Sequence, residues 1–388
     1  MENFTFQYPT KTYFGKGCVQ DNLASLLQNQ GDTVLLAYGG GSLKRTGLYD
    51  EIMQILNQAG KTVVEFSGIM PNPTYEKVQE GAKLCRDHNV DFILAVGGGS
   101  VIDCCKIVSA QAHTDEDLWE MEFSKRKLPT TFIPMGSIVT VSGTGSEGNN
   151  GAVITNEEKN IKAGMLGAYN TFALLDPEIT MTVPFKQVMS GAFDTLSHAM
   201  ETYFGTPYDH NNLSDDLSEA VMRSVIKNMR VLLEDPNNYE ARSELMWDSA
   251  MAENGILKIG KITDFQCHQL EHQLGAYTNC NHGQGLAVLH PVLYRHIYKE
   301  GLPKFKNFAI NVWGVDPSGK TDEEIALEGI DALANFIVEM GLPTTFAQMG
   351  IDPNTDFKAI ADSCNVSPGC CKKLSHEELL EILRECKG

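Results

Sequence analysis

One carboxylate and several histidines recur at helical spacing in the second half of the chain. Asp194 and His198 stand four residues apart, as do His268 and His272, so each pair shares one face of a helix. His282 follows fourteen residues after His268. A carboxylate with three imidazoles is a ligand set that suits Fe(II) or Zn(II). A single histidine is usually a packed or hydrogen-bonded residue, but this grouping favours a site for one divalent metal ion.

The stretch HQLEH at 268–272 also fits the H-x-x-E-H pattern of one class of zinc proteases. In that interpretation His268 and His272 bind zinc, and Glu271 activates a water molecule. The hypothesis leaves Asp194 and His198 without a role, together with the glycine-rich turns described next.

Two buried apolar runs each end in a glycine triplet. Gly39-Gly40-Gly41-Ser42 follows the first run, and Gly97-Gly98-Gly99-Ser100 follows the second and leads into a predicted helix. Glycine lets the backbone approach a ligand closely, and a helix amino terminus offers free N–H groups to a diphosphate. Neither triplet matches G-x-G-x-x-G, and a tight structural turn explains one triplet equally well. The repetition favours a nucleotide site.

A third glycine-containing segment, TVSGTGSE at 140–147, is polar and follows another predicted strand. It fits either a contact with a ribose or phosphate or an ordinary surface loop.

These residues need elements to position them, and the first half of the chain alternates strand and helix patterns. The predicted strands are 33–37, 62–66, 92–96, 131–135 and 172–175, with helices at 49–59, 75–88 and from about 101. This alternation predicts a mostly parallel sheet covered on both faces. Beyond Pro184 the pattern is helical, at 186–204, 213–233, 239–257, 264–278, 283–299 and 321–340. We therefore predict an α/β domain over 1–185 and an all-helical domain over 186–388.

Composition and charge limit the partners. The 388 residues, 42% hydrophobic and 21% charged, predict a globular protein of about two domains. Fifty acidic against 31 basic residues give a net charge of −19, which makes nucleic acid a poor partner. No run of about 18 apolar residues predicts a membrane span, and the amino terminus has no secretory pattern. We expect a cytoplasmic protein whose ten cysteines are reduced thiols.

The ordered motifs resemble the iron-containing (group III) alcohol dehydrogenases, in particular the branch of butanol dehydrogenases and NADPH-dependent aldehyde reductases. The resemblance begins at PTKTYFG, residues 9–15, and continues to the helical C-terminal segment. Its specific motifs are GGGSVIDCCK at 97–106, TGSE at 144–147, D-x-x-x-H at 194–198 and the histidines within 268–282. The resemblance implies a dehydroquinate-synthase-like fold, with an α/β nucleotide-binding domain before a helical metal-binding domain.

The resemblance also implies roles for individual residues. The implied metal ligands are Asp194, His198, His268 and His282, and His272 is implied to lie close to the substrate. The pyrophosphate contacts are implied to be Gly97, Gly98, Gly99 and Ser100. The ribose and nicotinamide contacts are implied to be Thr140, Thr144, Asn149 and Lys162. Asn72 corresponds to a residue at the mouth of the cleft, and Asp103 lies one turn into the phosphate helix, near the cleft.

The first glycine turn indicates which nicotinamide cofactor is used. Relatives that prefer NAD carry an acid directly after the corresponding strand, where this chain has Gly40 and Ser42 in a turn without a carboxylate. Without that acid a 2′-phosphate is not repelled, and Ser42 and Lys44 could contact it. We therefore predict NADP(H) in preference to NAD(H).

The predicted function is hydride transfer between NADP(H) and a small primary alcohol or aldehyde, such as butanol or butanal. A divalent metal, Fe(II) or Zn(II), would act as a Lewis acid, and His272 is the candidate for proton relay. The runner-up is a lyase of the dehydroquinate-synthase type on the same fold, which would need several basic residues around the cleft. Family likeness also predicts a homodimer.

Overall fold

The computed structural model describes residues 2–207, 209–366 and 368–388, which form two compact units. One unit spans Tyr8–Val183, and the other begins at Pro184 and also includes residues 2–7. This short amino-terminal segment contacts the helical unit through a hydrogen bond from the Glu2 N–H to the Gly260 carbonyl, 2.9 Å long. The sequence alone places the same segment in the predicted nucleotide domain, 1–185.

The first unit is built on a six-stranded sheet whose strand pairs are all parallel, which confirms the predicted fold class. Its strands are β1 Lys11–Phe14, β2 Thr33–Tyr38, β3 Thr62–Phe66, β4 Phe92–Gly97, β5 Met135–Val139 and β8 Asn170–Leu175, in the order β1-β8-β5-β4-β2-β3. Every residue of β4 is buried, as an interior strand of a parallel sheet requires. A separate antiparallel hairpin pairs β6 Gly151–Asn156 with β7 Ile161–Leu166.

Helices connect the strands of this sheet. They are α1 Cys18–Leu27, α2 Ser42–Arg45, α3 Leu48–Gln58, α4 Tyr75–His88 and α5 Gly99–Gln111. The α4 helix has the bounds predicted from the sequence, because both of its ends are marked by local chemistry. Thr74 accepts a hydrogen bond from the Lys77 N–H at its start, and Asn89 adopts a left-handed conformation at its end.

The strand predicted at 131–135 is wrong. The structure places β5 at Met135–Val139, directly before Thr140, and assigns no strand to 125–134. Pro134 has no N–H to donate to a neighbouring strand and restricts the residue before it, so the ladder begins only after the proline. The shift brings the end of β5 next to the end of β4, because the Thr140 N–H donates to the Gly97 carbonyl at 3.0 Å.

The second unit is helical, as predicted. Its main helices are α6 Phe185–Tyr203, α7 Leu213–Glu234, α8 Tyr239–Glu253, α9 Gln266–Thr278, α10 His282–Ile297, α11 Leu302–Asn311 and α12 Asp322–Glu339. Shorter helices follow as α13 Phe346–Met349, α14 Phe357–Ser363 and α15 His376–Glu385. One apolar core, centred on residues such as Phe193, Leu270 and Leu289, joins α6, α9 and α10. None of the helices in the described part of the chain is both long and apolar enough to cross a membrane.

Candidate metal and nucleotide sites

The α6 helix presents three acidic or imidazole side chains on one buried face. Asp194, His198 and Glu201 follow one another at intervals of four and three residues, which is the repeat of a single helix face. All three are buried, with exposed fractions of 4%, 8% and 1%. Most of α6 beyond Met189 is buried among other helices, so these polar groups have no access to bulk water and need partners inside the protein.

The partners come from α9 and α10. His268 lies in the first turn of α9, and His282 is the first residue of α10. Gly283 allows α10 to begin directly against α6, since a Cβ atom there would lie 2.1 Å from the Ser190 carbonyl oxygen. Any larger residue would push the start of α10, and His282 with it, away from α6.

Asp194 is the centre of the resulting cluster. Its Oδ1 atom lies 3.4 Å from His282 Nε2, 3.5 Å from His268 Nε2 and 3.7 Å from His198 Nδ1. A tetrahedral ion with bonds of about 2.1 Å would separate its ligand atoms by about 3.4 Å. The structure therefore brings together the four side chains that the sequence singled out. Three of them, Asp194, His268 and His282, also form a geometrically compact group of donor atoms.

The donor atoms of this cluster lack hydrogen bonds that would account for their burial. Asp194 Oδ1, His198 Nδ1 and His268 Nε2 are buried, and the described part of the chain gives none of them a hydrogen-bond partner. Buried polar atoms are almost always satisfied, so three such atoms in one place need an explanation. A divalent metal ion fits, because one carboxylate and three imidazoles are ligands that Fe(II) and Zn(II) accept.

Two further carboxylates hold the imidazoles, and sequence reasoning did not assign them this role. Glu201 accepts hydrogen bonds from His268 Nδ1 and from the Cys267 N–H at 2.7 Å, so it also caps the start of α9. Glu271 accepts a hydrogen bond from His282 Nδ1. Donation from Nδ1 leaves Nε2 of both rings as the atom that faces Asp194. The signals were present, since Glu201 stands three residues after His198 and Glu271 three after His268.

Burial and the opposing charges perturb the acid–base behaviour of the cluster. Burial raises the pKa of Asp194, but the imidazoles of His198 and His282 outweigh it and hold that pKa well below its usual range. Burial also lowers the pKa of His268, whereas the carboxylates of Glu201 and Asp194 dominate and raise it to about 10. Burial is the main cause of the lowered pKa of His198. The carboxylates therefore favour the protonated form of His268, whereas burial favours the neutral form of His198.

His272 lies beside the cluster without joining the group around Asp194. Its ring centroid is 6.0 Å from that of His268 and 5.5 Å from that of His282, and its side chain is half-buried. Glu271, His272 and His282 form a second group of close donor atoms. His290, another histidine of the region, pairs with the Ser197 hydroxyl at 2.5 Å, and burial lowers its pKa to about 4.

In the other unit, the second glycine turn forms the start of α5. Gly97 ends β4, Gly98 is the extended residue that caps α5, and Gly99 is the first residue of the helix. A Cβ atom on Gly99 would lie 2.3 Å from the hydroxyl of Thr144, so only glycine lets the segment at 140–147 pack against the helix start. This packing brings the N–H groups of a thirteen-residue helix together with Thr144, the arrangement expected of a phosphate site.

A fully buried lysine connects α5 to that segment. Lys106 Nζ donates to the Gly151 carbonyl at 2.6 Å, the Ser146 hydroxyl at 2.8 Å and Asn149 Oδ1 at 3.1 Å. Asp103, predicted to lie near the cofactor, accepts hydrogen bonds from Ser146 and from the Val153 N–H at 2.8 Å. Burial raises the pKa of Asp103 in spite of the nearby lysine. The carboxylate thus has structural partners within the protein, and its contact with a cofactor stays a prediction.

The remaining predicted nucleotide contacts occupy loops and strands of the same unit. Asn72 has a left-handed backbone conformation with φ of 55°, and Lys162 is a buried residue of β7. Gly40 and Ser42 are exposed and follow β2. Thr140, directly after β5, is half-buried, and so is Ser100 in α5. The structure locates these residues, and their contacts with a nucleotide stay predictions.

Comparison with known proteins shows the family to which the chain belongs. The family model for "Iron-containing alcohol dehydrogenase" matches residues 9–177, and that for "Fe-containing alcohol dehydrogenase family, C-terminal" matches residues 188–386. The chain belongs to the iron-containing alcohol dehydrogenase family, and its fold is the dehydroquinate-synthase-like fold predicted from the resemblance.

Individual relatives match the chain over most or all of its length. It is 41% identical to a protein of Bacillus subtilis named probable NADH-dependent butanol dehydrogenase 1, over 99% of both chains. It is 36% identical to the NADPH-dependent aldehyde reductase YqhD of Escherichia coli, over 91% of this chain and 90% of that protein. The crystal structure of NADH-dependent butanol dehydrogenase A from Thermotoga maritima superimposes with a TM-score of 0.93 at 34% identity, covering 100% and 99% of the two chains.

Proposed function

We propose that this protein is a metal-dependent oxidoreductase that transfers a hydride between NADP(H) and a small primary alcohol or aldehyde. The observation that carries the proposal is the buried cluster in which His198, His268 and His282 surround one carboxylate oxygen of Asp194. Family membership and the names of the relatives support alcohol and aldehyde chemistry and, through the family name, Fe(II) as the metal. Zn(II) is the alternative ion, since the same ligands accept it.

The proposed roles of the residues follow from the cluster. Asp194, His198, His268 and His282 would hold the metal ion, which supplies Lewis acidity toward the oxygen of the substrate. Glu201 and Glu271 hold the Nδ1 protons of His268 and His282 and so fix the orientation of both rings. Because Glu271 is engaged with an imidazole, it is poorly suited to activate water as the protease hypothesis requires.

The nucleotide would bind at the first unit. The turn at residues 97–100 and the amino terminus of α5 would take the pyrophosphate. Contacts with the ribose and nicotinamide would come from Thr140, Thr144, Asn149 and Lys162. The nicotinamide supplies or accepts the hydride. NADP(H) is proposed over NAD(H) because the turn at Gly40 and Ser42 carries no carboxylate. The relatives bear both NADH and NADPH in their names, so the cofactor is decided by experiment. The homodimer and the cytoplasmic location stay predictions.

The proposal is tested by mixing the purified protein, loaded with Fe(II), with butanal and reduced cofactor and following the absorbance of the nicotinamide. We expect aldehyde-dependent oxidation of NADPH, with kcat/KM about tenfold above that for NADH, which is equivalent to about 1.4 kcal/mol. Removal of the metal with a chelator should stop the reaction, and Fe(II) should restore it. Equal or greater kcat/KM with NADH would contradict the cofactor assignment. Cleavage of a protein substrate without aldehyde reduction would instead support the protease.

His272 is the proposed proton relay, and its replacement separates this role from metal binding. We expect His272→Gln to keep its metal content while kcat falls about 10²- to 10⁴-fold, the usual contribution of a general acid or base. Metal content measured by elemental analysis and kcat measured across pH check the two parts. The matched control is His376→Gln, in the first turn of α15. Loss of the metal from the His272 variant would show that the residue is a ligand rather than a relay.

A further inference from the structure

The first glycine turn is followed by two cations, Lys44 and Arg45, which have different surroundings. Lys44 belongs to a cluster formed with Tyr38, Tyr49 and Glu65. Its Nζ atom lies 3.5 Å from Glu65 Oε2 and 4.4 Å from the centre of the Tyr49 ring. Glu65 also accepts hydrogen bonds from the hydroxyls of Tyr38 at 2.5 Å and Tyr49 at 2.7 Å. The positive charge of Lys44 is therefore already balanced by a carboxylate and two aromatic rings.

Arg45 is arranged differently. Its Nη1 atom lies 3.2 Å from the position that a Cβ atom on Gly41 would occupy, so the guanidinium folds back over the glycine turn. Its side chain is exposed, and among the described residues the guanidinium has neither an ion pair nor a hydrogen bond. A guanidinium without an ion-pair partner thus lies at the turn after β2. In dinucleotide-binding α/β folds, the adenine ribose binds at the end of the corresponding strand.

We propose that Arg45 recognises the 2′-phosphate of NADP(H), and that Lys44 does not contact this phosphate because it is paired with Glu65. The inference rests on the proposed function, in which this turn receives the adenosine half of the cofactor. Lys44 and Glu65 together carry no net charge, which leaves Arg45 as the net positive charge at the turn. A guanidinium also offers paired N–H donors that match a phosphate, whereas an ammonium acts as a point charge. This assignment differs from the sequence expectation, which named Lys44.

Binding of nucleotide fragments tests the inference without catalysis. Isothermal titration of the whole protein with 2′,5′-ADP and with 5′-ADP measures the contribution of the 2′-phosphate directly. We expect Arg45→Gln to weaken 2′,5′-ADP binding by about 10- to 100-fold, the effect of losing a charge-assisted contact, and to leave 5′-ADP binding unchanged. The matched control, Lys44→Gln, should change either affinity by less than about threefold, because Lys44 is engaged with Glu65 and the rings of Tyr38 and Tyr49. Glu65→Gln should strengthen 2′,5′-ADP binding by releasing Lys44.

The other outcomes would overturn the inference in distinguishable ways. A selective loss in the Lys44 variant would assign the phosphate to Lys44 instead. Equal weakening of both fragments by Arg45→Gln would show a structural effect rather than recognition. If the unaltered protein bound both fragments equally, the 2′-phosphate would have no recognition site, while the dehydrogenase function with NADH would stand. If it bound neither fragment and oxidised no reduced cofactor with butanal, the proposed function itself would fail.

Discussion

Asparagine in place of Asp194 should produce a folded protein that retains less than about a tenth of the metal and loses about a thousandfold in turnover. The thousandfold loss corresponds to about 4 kcal/mol, which is within the contribution of a Lewis-acid metal. The substitution keeps the size of the side chain but removes its charge. Among the described residues, Asp194 is the carboxylate that lies within 4 Å of Nε2 of both His268 and His282, so its charge is central to the proposed site.

A readout independent of turnover checks this prediction. Saturating metal at about 100 times its Kd stabilises the folded state by about 2.7 kcal/mol, which should raise the Tm of the unaltered protein by several degrees. Asp194→Asn should show no such rise. The matched control is Asp216→Asn, the same change at an exposed position of α7, which should keep its metal and its Tm shift. A variant at Asp194 that bound metal normally would remove the observation on which the proposed function depends.

The electrostatic balance explains why this cluster is built with three acids. Asp194, Glu201 and Glu271 contribute three negative charges. Glu201 and Glu271 contact the Nδ1 protons of His268 and His282, and Asp194 faces the Nε2 atoms of the same rings. A divalent ion carries two positive charges, so a bound metal would nearly neutralise the three buried acids. Without an ion the carboxylates favour a protonated His268, as its raised pKa shows, whereas burial keeps the pKa of His198 low. Metal and protons therefore compete, and affinity for the metal should fall as pH decreases.

The sequence predicts contacts between residues that are close together in the chain better than contacts between distant residues. The pairs Asp194–His198 and His268–His272 follow from helix periodicity alone, and the structure confirms that each pair lies on one helix. The convergence of α6, α9 and α10 does not follow from periodicity, because it depends on long-range packing such as that of Gly283 against Ser190. For these residues, family resemblance supplied the grouping that local pattern could not.

In the sheet, too, local sequence patterns predict some strands well and others poorly. Continuous apolar runs such as the one in β4 predict interior strands almost to the residue. The strand at 131–135 was misplaced because its apolar residues outweighed the two prolines at 129 and 134. The hairpin of β6 and β7 was missed because its turn lacks the usual Asn-Gly or Asp-Gly signal, although Asn160 adopts a left-handed conformation there. Pairing across such a turn is decided by tertiary packing.

Lys106 is the clearest case in which sequence alone misleads. A lysine in the helix after GGGS would be expected at the surface, since lysine is almost never fully buried without a partner. The structure buries it completely and surrounds it with oxygen atoms from Ser146, Asn149 and Gly151. The partners lie forty or more residues away in sequence, so no local pattern reveals them.

Replacement of Lys106 by methionine should lower the free energy of unfolding by about 3–5 kcal/mol, the usual effect of removing one partner of a buried charged pair. Methionine matches the length of the lysine stem, so the loss reflects the missing ammonium rather than a cavity. The Gly151 carbonyl, the Ser146 hydroxyl and the Asn149 amide oxygen lose their common donor, and Asp103 Oδ1 loses a positive charge 4.0 Å away. Urea denaturation followed by circular dichroism measures the change.

The dependence of this loss on pH distinguishes a charge effect from a packing effect. Burial already holds the pKa of Asp103 above its ordinary value, and without Lys106 that pKa should rise further. A folded-state pKa above the unfolded one means that the folded protein binds the extra proton. The contribution of Asp103 to the stability of Lys106→Met should therefore be fully present below the unfolded-state pKa of Asp103 and be lost as pH rises through its folded-state pKa. The difference from the unaltered protein should widen over the same interval.

A surface lysine provides the control for this experiment. Lys83→Met removes an exposed ion pair with Asp87 on α4 and should change stability by less than about 0.5 kcal/mol at any of these pH values. A second variant, Lys106→Met combined with Asp103→Asn, should recover part of the loss, because it removes the buried charge left without its counterpart. If Lys106→Met were as stable as Lys83→Met, the ammonium would contribute nothing to holding the 144–151 segment against α5. The positions of Thr144 and Asn149 would then rest on backbone packing alone.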